Sequence, residues 1–346
     1  MSEAAVNRQW VLARRPEGLV EPDCFELRDE PVPEPGDGEF LVRNVYMSLD
    51  PAMRAWISER GTGYMPAVPI GSLMPASCVA RVVESRHDGF EPDDLVLGVF
   101  GWQDYAVSDG GGRGPMSVTK IPEGVGPTLP LSALGTTTLT AYFGLKEVGK
   151  PEPGQTVVVS GAAGATGSMV GQLAKLWGCR AVGIAGGERK CSWLVDELGF
   201  DAAIDYKGGD VRKGLKEECP DGIDVYWDNV GGEILDAALA RLATRARVVL
   251  CGAISMYNED SPPPGPSNYI NLLGRRARME GFLVFDYFDR IPEAMAELVP
   301  LVQSGKLRWR EDIRDGLDSA PAALRDLFTG ENDGKLLVRV SDELGD

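Results

Sequence analysis

A single histidine, His87, serves the whole 346-residue chain. It lies in the polar stretch Glu84-Ser-Arg-His-Asp-Gly, which reads as a turn, so a solvated loop position is expected. One histidine excludes a His-rich metal site and argues against a Ser-His-Asp hydrolase. The six cysteines (Cys24, Cys78, Cys179, Cys191, Cys219 and Cys251) contain no C-x-x-C pair. Neither a disulfide framework nor a zinc knuckle is indicated, and reduced, mostly buried thiols are expected. No window reaches the ~18 consecutive apolar residues of a membrane-spanning helix. Glu3, Arg8 and Gln9 stand where a secretory peptide would need its apolar stretch, so a cytoplasmic location is expected. Basic residues are also scarce, 35 Lys and Arg against 52 Asp and Glu, for a net charge of −17. Such a field repels phosphate backbones and anionic lipid surfaces, which excludes nucleic acid and membranes as expected partners.

What is present is enough for two folded domains at ~150 residues each. Apolar residues make up 43% of the chain. Glycine (43) and proline (24) together form about 19% of it, below the roughly 25–30% that marks low-complexity sequence. From Trp10 to about Ser132 the apolar runs are short, valine-rich and separated by clusters such as Pro31-Val-Pro-Glu-Pro-Gly and Gly110-Gly-Gly-Arg-Gly-Pro, which predicts a β-rich domain. After Leu134, strand runs alternate with helical periods, which predicts βαβ units on a parallel sheet. Strands are expected at Thr156 to Ser160, Ala181 to Ile184, Ala202 to Ile204, Val225 to Trp227, Val248 to Leu250 and Gly281 to Val284. Six is the number of a complete dinucleotide fold. The tail, Lys335-Leu-Leu-Val-Arg-Val, is extended in character and is expected to pair back onto the first domain. The domain expectation is therefore 1–133 completed by 313–346, with 134–312 between them.

The most informative segment runs from Thr156 to Trp177. A buried strand leads into Gly161, Gly164 and Gly167, and then into a helix whose apolar face is expected to carry Met169, Val170, Leu173, Leu176 and Trp177. Side chains at such a turn would block a pyrophosphate from the N–H groups and positive dipole end of the helix. The spacing is G-x-x-G-x-x-G, a variant of the usual fingerprint, and its strand-turn-helix context points to a dinucleotide. NAD enzymes usually place Asp or Glu at the end of the second strand to hold the ribose 2′-hydroxyl. This chain instead reads Gly183-Ile-Ala-Gly-Gly-Glu-Arg-Lys, with Arg189 and Lys190 just past small residues. Cations attract a 2′-phosphate and glycines leave it room, which favours NADP, although Glu188 lies close and a solvated helical turn is the other reading.

Taken with Asn44-Val-Tyr-Met-Ser-Leu-Asp-Pro-Ala-Met-Arg, Thr140-Ala-Tyr-Phe-Gly-Leu, Asp228-Asn-Val-Gly-Gly-Glu, Cys251-Gly-Ala-Ile-Ser-Met-Tyr-Asn and Glu331-Asn-Asp-Gly-Lys, the chain resembles the zinc-independent medium-chain dehydrogenase/reductases. Within them it is similar over its whole length to the prostaglandin reductase or leukotriene B4 12-hydroxydehydrogenase group, which includes curcumin reductase-like enzymes. The resemblance implies a Rossmann doubly wound α/β domain beside a GroES-like β-rich domain, with substrate in the cleft between them and no metal. It also implies that Lys190 and Tyr206 hold the 2′-phosphate of NADPH, with Gly164, Ala165, Thr166 and Gly167 under the pyrophosphate. Asn229, the segment Cys251, Gly252, Ala253, Ile254, Ser255, Met256 and Tyr257, and Phe282, Leu283 and Val284 would line the nicotinamide and its ribose. Asn332 would contact the cofactor from the tail. The chain departs from the family pattern at Gly135-Thr-Thr-Thr and by one extra residue between Lys190 and Tyr206.

The expected activity is NADPH-dependent saturation of the activated carbon–carbon double bond of an apolar α,β-unsaturated ketone or aldehyde. Tyr257 is the catalytic candidate, because charge pushed onto the carbonyl oxygen must meet a positioned donor, and a phenol can supply one at neutral pH. The other reading of Tyr257 is packing at the base of the proline-rich loop Ser255 to Pro266. Tyr64 and Met65 read either as walls of the same cleft or as core or dimer contacts. Quinone reduction, or nucleotide binding with little catalysis, are the alternative functions. A homodimer is expected by analogy with relatives.

Overall fold

The computed structural model describes residues 6–59, 61–111, 117–259, 261 and 264–342. Part of the glycine-rich cluster after Gly110, together with Pro262 and Pro263 of the proline-rich loop, lies outside the described residues.

The chain divides into two compact units. The first comprises Met1–Leu131, Glu311–Asn332 and Leu336–Asp346. Strands β1 (Val6–Leu12) and β2 (Phe25–Pro31) pair antiparallel as a separate two-stranded sheet. Next come β3 (Phe40–Ser48), the short helix α1 (Ala52–Trp56), β4 (Ser77–Ser85), β5 (Leu95–Val99), β6 (Tyr105–Ser108) and β7 (Thr119–Lys120). The core beneath them is built from fully buried residues such as Leu12, Phe40, Met47, Met74 and Trp102. His87 does sit in a turn. It is half-buried rather than solvated, packed against Phe40 and Phe90 with Nδ1 accepting from the Gly89 N–H at 2.8 Å.

The second unit comprises Ser132–Arg310 and Asp333–Lys335. Helix α2 (Thr136–Phe143) continues into a π-helical turn over Gly144–Gly149, which Lys150 ends in the left-handed conformation at φ 44°. Glycine is required at 144, where a Cβ would lie 2.2 Å from the Phe282 ring and 2.5 Å from Trp227. The alternation then unfolds as predicted. It runs through β8 (Thr156–Ser160), α3 (Ala165–Leu176), β9 (Arg180–Ala185), α4 (Glu188–Ser192), β10 (Ala202–Asp205), α5 (Val211–Glu218), β11 (Ile223–Asp228), α6 (Gly232–Leu239) and β12 (Leu242–Leu250). After these come α7 (Asn271–Arg275), β13 (Arg278–Gly281) and α8 (Ile291–Gln303). All six strands pair in parallel in the order β10-β9-β8-β11-β12-β13. That order reverses direction between β8 and β11, and ligands of such sheets bind outside the carboxyl ends of the strands at that point. Continuous runs such as Val157, Val158 and Val159 are fully buried because helices cover both faces, and each side chain contributes roughly 1.5–3 kcal/mol by burial.

Two expectations need correction. The sixth strand is Arg278–Gly281, not Gly281 to Val284, because its partner β12 stops at Leu250 opposite Gly281 and leaves the following residues nothing to pair with. Val284–Arg290 instead coils as a 3-10 turn. In α3, Leu176 is 42% exposed. Met169, Val170 and Leu173 are buried as expected, and Gly167, Gly171 and Ala174 beside them let the helix approach its neighbours closely. A Cβ on Gly171 would come within 1.8 Å of the Phe200 ring. We expect Gly171→Ala to destabilise the fold by about 1–3 kcal/mol through overpacking, read as a lower midpoint in thermal unfolding; an unchanged midpoint would show that Phe200 can move aside.

The tail returns through β14 (Glu311–Asp315), α9 (Ala320–Thr329) and β15 (Lys335–Arg339). Leu337, Val338 and Arg339 pair antiparallel with Ser48, Met47 and Tyr46 of β3, completing the seven-stranded sheet of the first unit.

Candidate active site

The turn after β8 is shaped by close backbone approach. Gly161 takes φ +57°, and its carbonyl oxygen would lie only 2.4 Å from a Cβ on Gly167. Gly164 precedes α3 with extended backbone and no side-chain cap, so the first turn of a 12-residue helix offers its N–H groups and positive dipole end outward. Gly164, Ala165, Thr166 and Gly167 together form this cradle, and its chemistry suits a pyrophosphate.

The end of β9 is open. A Cβ on Gly186 would meet the ring of Tyr206 at 2.9 Å, so the tyrosine lies flat against that glycine while remaining 43% exposed. Lys190, half-buried on α4, follows four residues after Gly186. The nearby carboxylate of Asp205 is engaged by the Gly187 N–H at 2.7 Å and the Lys207 N–H at 2.9 Å. These backbone donors hold its carboxyl below the usual range. Arg189 turns to Asp333, 144 residues away, at 2.5 Å, and Arg310 shares the same carboxylate oxygen at 2.9 Å. Sequence reasoning missed Asp333 and Arg310, because no local pattern announces a pair made across that distance.

At the ends of β11 and β12 the chain is knotted by polar contacts. Asp228, buried to 1% exposure, receives at Oδ1 the Ser160 hydroxyl at 2.8 Å, the Tyr226 hydroxyl at 3.1 Å, and the N–H groups of Val230 and Gly231 at 3.1 and 3.0 Å. Burial pushes its carboxyl above the ordinary range in spite of those donors. The Asn229 amide donates to the Ser160 carbonyl at 2.7 Å and accepts from the Trp227 indole at 3.0 Å, which fixes its rotamer. The carbonyls of Asp228, Asn229 and Val230 accept from the N–H groups of Cys251, Gly252, Ile254 and Ser255. Burial pushes the Cys251 thiol up to about 12, so it stays neutral. The Tyr257 phenol folds back over this segment, its oxygen accepting from the Ala253 N–H at 3.2 Å. Met256 lies beside Gly231, its sulfur 3.3 Å from where a Cβ would stand.

Phe282 meets Trp227 edge-on, with ring centroids 5.7 Å apart. Leu283 is exposed and Val284 buried. The residues predicted from 164 to 167, with Lys190, Tyr206, Asn229, 251 to 257 and 282 to 284, all follow or flank the carboxyl ends of the parallel strands of one unit. Asn332 belongs to the other unit. Among the described residues, no group of three or more His, Cys, Asp or Glu side chains is placed to hold a metal ion.

Comparison with known proteins matches residues 8–116 to the N-terminal domain of oxidoreductase and residues 165–303 to the zinc-binding dehydrogenase family. The chain is 43% identical over 342 residues to the NADPH-dependent curcumin reductase of Escherichia coli, covering 97% of this chain and 98% of that one. It is 39% identical to the 2-alkenal reductase (NADP(+)-dependent) of Nicotiana tabacum, covering 99% and 100%. Among solved structures, CurA from Vibrio vulnificus in complex with NADPH superposes with a TM-score of 0.91 at 42% identity, covering 97% of this chain and 99% of that one.

Proposed function

Because the chain belongs to the zinc-independent medium-chain dehydrogenase/reductase family, we propose that it is an NADPH-dependent reductase of the activated double bond of α,β-unsaturated ketones and aldehydes. The observation that carries this reading is the glycine cradle opening on α3, combined with a β9 end that presents Gly186, Tyr206 and Lys190 while Asp205 is taken up by backbone donors. When bound, NADPH would supply a hydride to the β-carbon, and the α-carbon of the resulting enolate would take its proton from solvent water. Gly164, Ala165, Thr166 and Gly167 hold the pyrophosphate, and Lys190 and Tyr206 hold the 2′-phosphate. Asn229, Cys251 to Tyr257 and Phe282 to Val284 bound the nicotinamide half. Tyr257 donates a hydrogen bond to the substrate's carbonyl oxygen as negative charge grows there.

The substrate class is apolar, in keeping with the exposed Met256, Leu283 and Phe285 near these strand ends. A homodimer is supported by β13, an edge strand of the parallel sheet, preceded by the exposed Tyr269, Ile270 and Leu273. No helix among the described residues is long and apolar enough to cross a membrane. Cytoplasmic residence completes the proposal.

The cofactor assignment is tested at Lys190. Replacing it with alanine is expected to weaken NADPH by roughly 10-fold or more, the loss of a charge-assisted hydrogen bond, while NADH binding stays as it was. Equal losses for both coenzymes would mean that the 2′-phosphate is held elsewhere.

A further inference from the structure

The buried knot around Asp228 is not explained by packing. A residue buried for its bulk would be apolar, since burying a carboxyl group is costly unless its partners compensate. Here one oxygen, Oδ1, gathers four donors from three places: Ser160 at the end of β8, Tyr226 within β11, and the Val230 and Gly231 N–H groups of the turn that leads into α6. The Ser160 hydroxyl that donates to Asp228 accepts in turn from the Asn229 N–H at 2.9 Å. On the other side, the Asp228 carbonyl accepts from Cys251 at 2.9 Å and from Gly252 at 3.0 Å. The Asp228 side chain thus fixes the turn of Asn229, Val230 and Gly231, and the carbonyls of Asn229 and Val230 accept in turn from Ile254 and Ser255 of the segment that carries Tyr257.

We propose that Asp228 is a positioning residue, which sets Asn229 and the Cys251 to Tyr257 segment at the spacing that receives the nicotinamide half of the cofactor. The proposal rests on the reading of this unit as an NADPH site. Asp228 itself lies beneath the surface and acts only through the groups it orients. Its side-chain bonds reach Ser160 at the end of β8, Tyr226 in β11 and the turn at 230–231, whereas Gly186, Lys190 and Tyr206 follow β9 and β10.

That separation makes the proposal testable with two ligands, each titrated calorimetrically into the full-length protein. NADPH spans both ends, whereas adenosine 2′,5′-bisphosphate carries the 2′-phosphate but no nicotinamide. Asp228→Ala is expected to weaken NADPH by about tenfold or more, the loss of bonds to a charged acceptor, and to leave the bisphosphate unchanged. Asp228→Asn retains an acceptor at Oδ1 and should recover part of the affinity. Should the alanine variant fail to fold, Ser160→Ala decides the matter, because it removes the hydroxyl that links Asn229 to Asp228 and should give the same split between the two ligands. NADPH affinity unchanged in these variants, or lost in equal measure with the bisphosphate, would overturn the role of Asp228. Wild-type protein that binds neither ligand would instead sink the cofactor reading, and this proposal with it.

Discussion

Tyr257→Phe is expected to lower turnover of an α,β-unsaturated ketone by about a hundredfold at saturating NADPH, the range found when one preorganised oxyanion donor is removed. The phenol oxygen accepts the Ala253 N–H, and an oxygen that accepts one hydrogen bond becomes a better donor of its own proton. The charge it meets exists only as the carbonyl oxygen becomes an enolate, so kcat and kcat/KM for the enone should fall together. NADPH affinity should change little, because removing the hydroxyl leaves the ring and the backbone of 251 to 256 in place. Loss of the bond from the Ala253 N–H costs the fold roughly 0.5–1.5 kcal/mol. Steady-state kinetics with separate titration of enone and NADPH give both quantities. Unchanged turnover would reduce Tyr257 to a packing residue at the base of its loop.

Gly167→Val should act on binding, and more severely. The new Cβ would stand 2.4 Å from the Gly161 carbonyl oxygen and 2.9 Å from the Ala162 Cα. Both are backbone atoms with nowhere to rotate, so the start of α3 must move away from the end of β8. Displacing an array of N–H donors by about 1 Å can cost about a hundredfold, and NADPH binding should weaken by at least that factor. Gly164→Ala provides the contrast. Its Cβ would meet only the Gly161 oxygen, at 3.3 Å, which a shift of a few tenths of an ångström relieves. The Gly164 variant should therefore fold like the wild type and lose affinity only because a methyl group intrudes on the ligand. Fluorescence titration with NADPH, together with thermal unfolding of both variants, separates the two effects. Full affinity in Gly167→Val would show that the cradle does not hold the pyrophosphate.

The parts of this architecture that could be read in advance are those whose physics is local. A parallel strand buried on both faces must be a continuous apolar run, so Thr156 to Ser160, Ala181 to Ile184 and Val225 to Trp227 were visible directly, as was the glycine turn between a strand and a helix. The sixth strand was misplaced because its limits depend on where β12 ends, a fact of pairing rather than of composition. The apolar face of α3 was legible at Met169, Val170 and Leu173, whereas Leu176, the last residue of the helix, is exposed. Ser160 and Asp228 lie 68 residues apart, and Arg189 and Asp333 lie 144 apart. Each residue alone looks like an ordinary strand end or a solvated charge. Only the sheet order that sets β8 beside β11 brings the first pair together.

The most direct measurement is the identity of the product. Purified protein is incubated with NADPH and a conjugated enone, and the product is examined by proton NMR. The account predicts the saturated ketone, with the alkene signals gone and the carbonyl intact, and formation that depends on NADPH. An allylic alcohol, or an enone left untouched while NADPH persists, would contradict it.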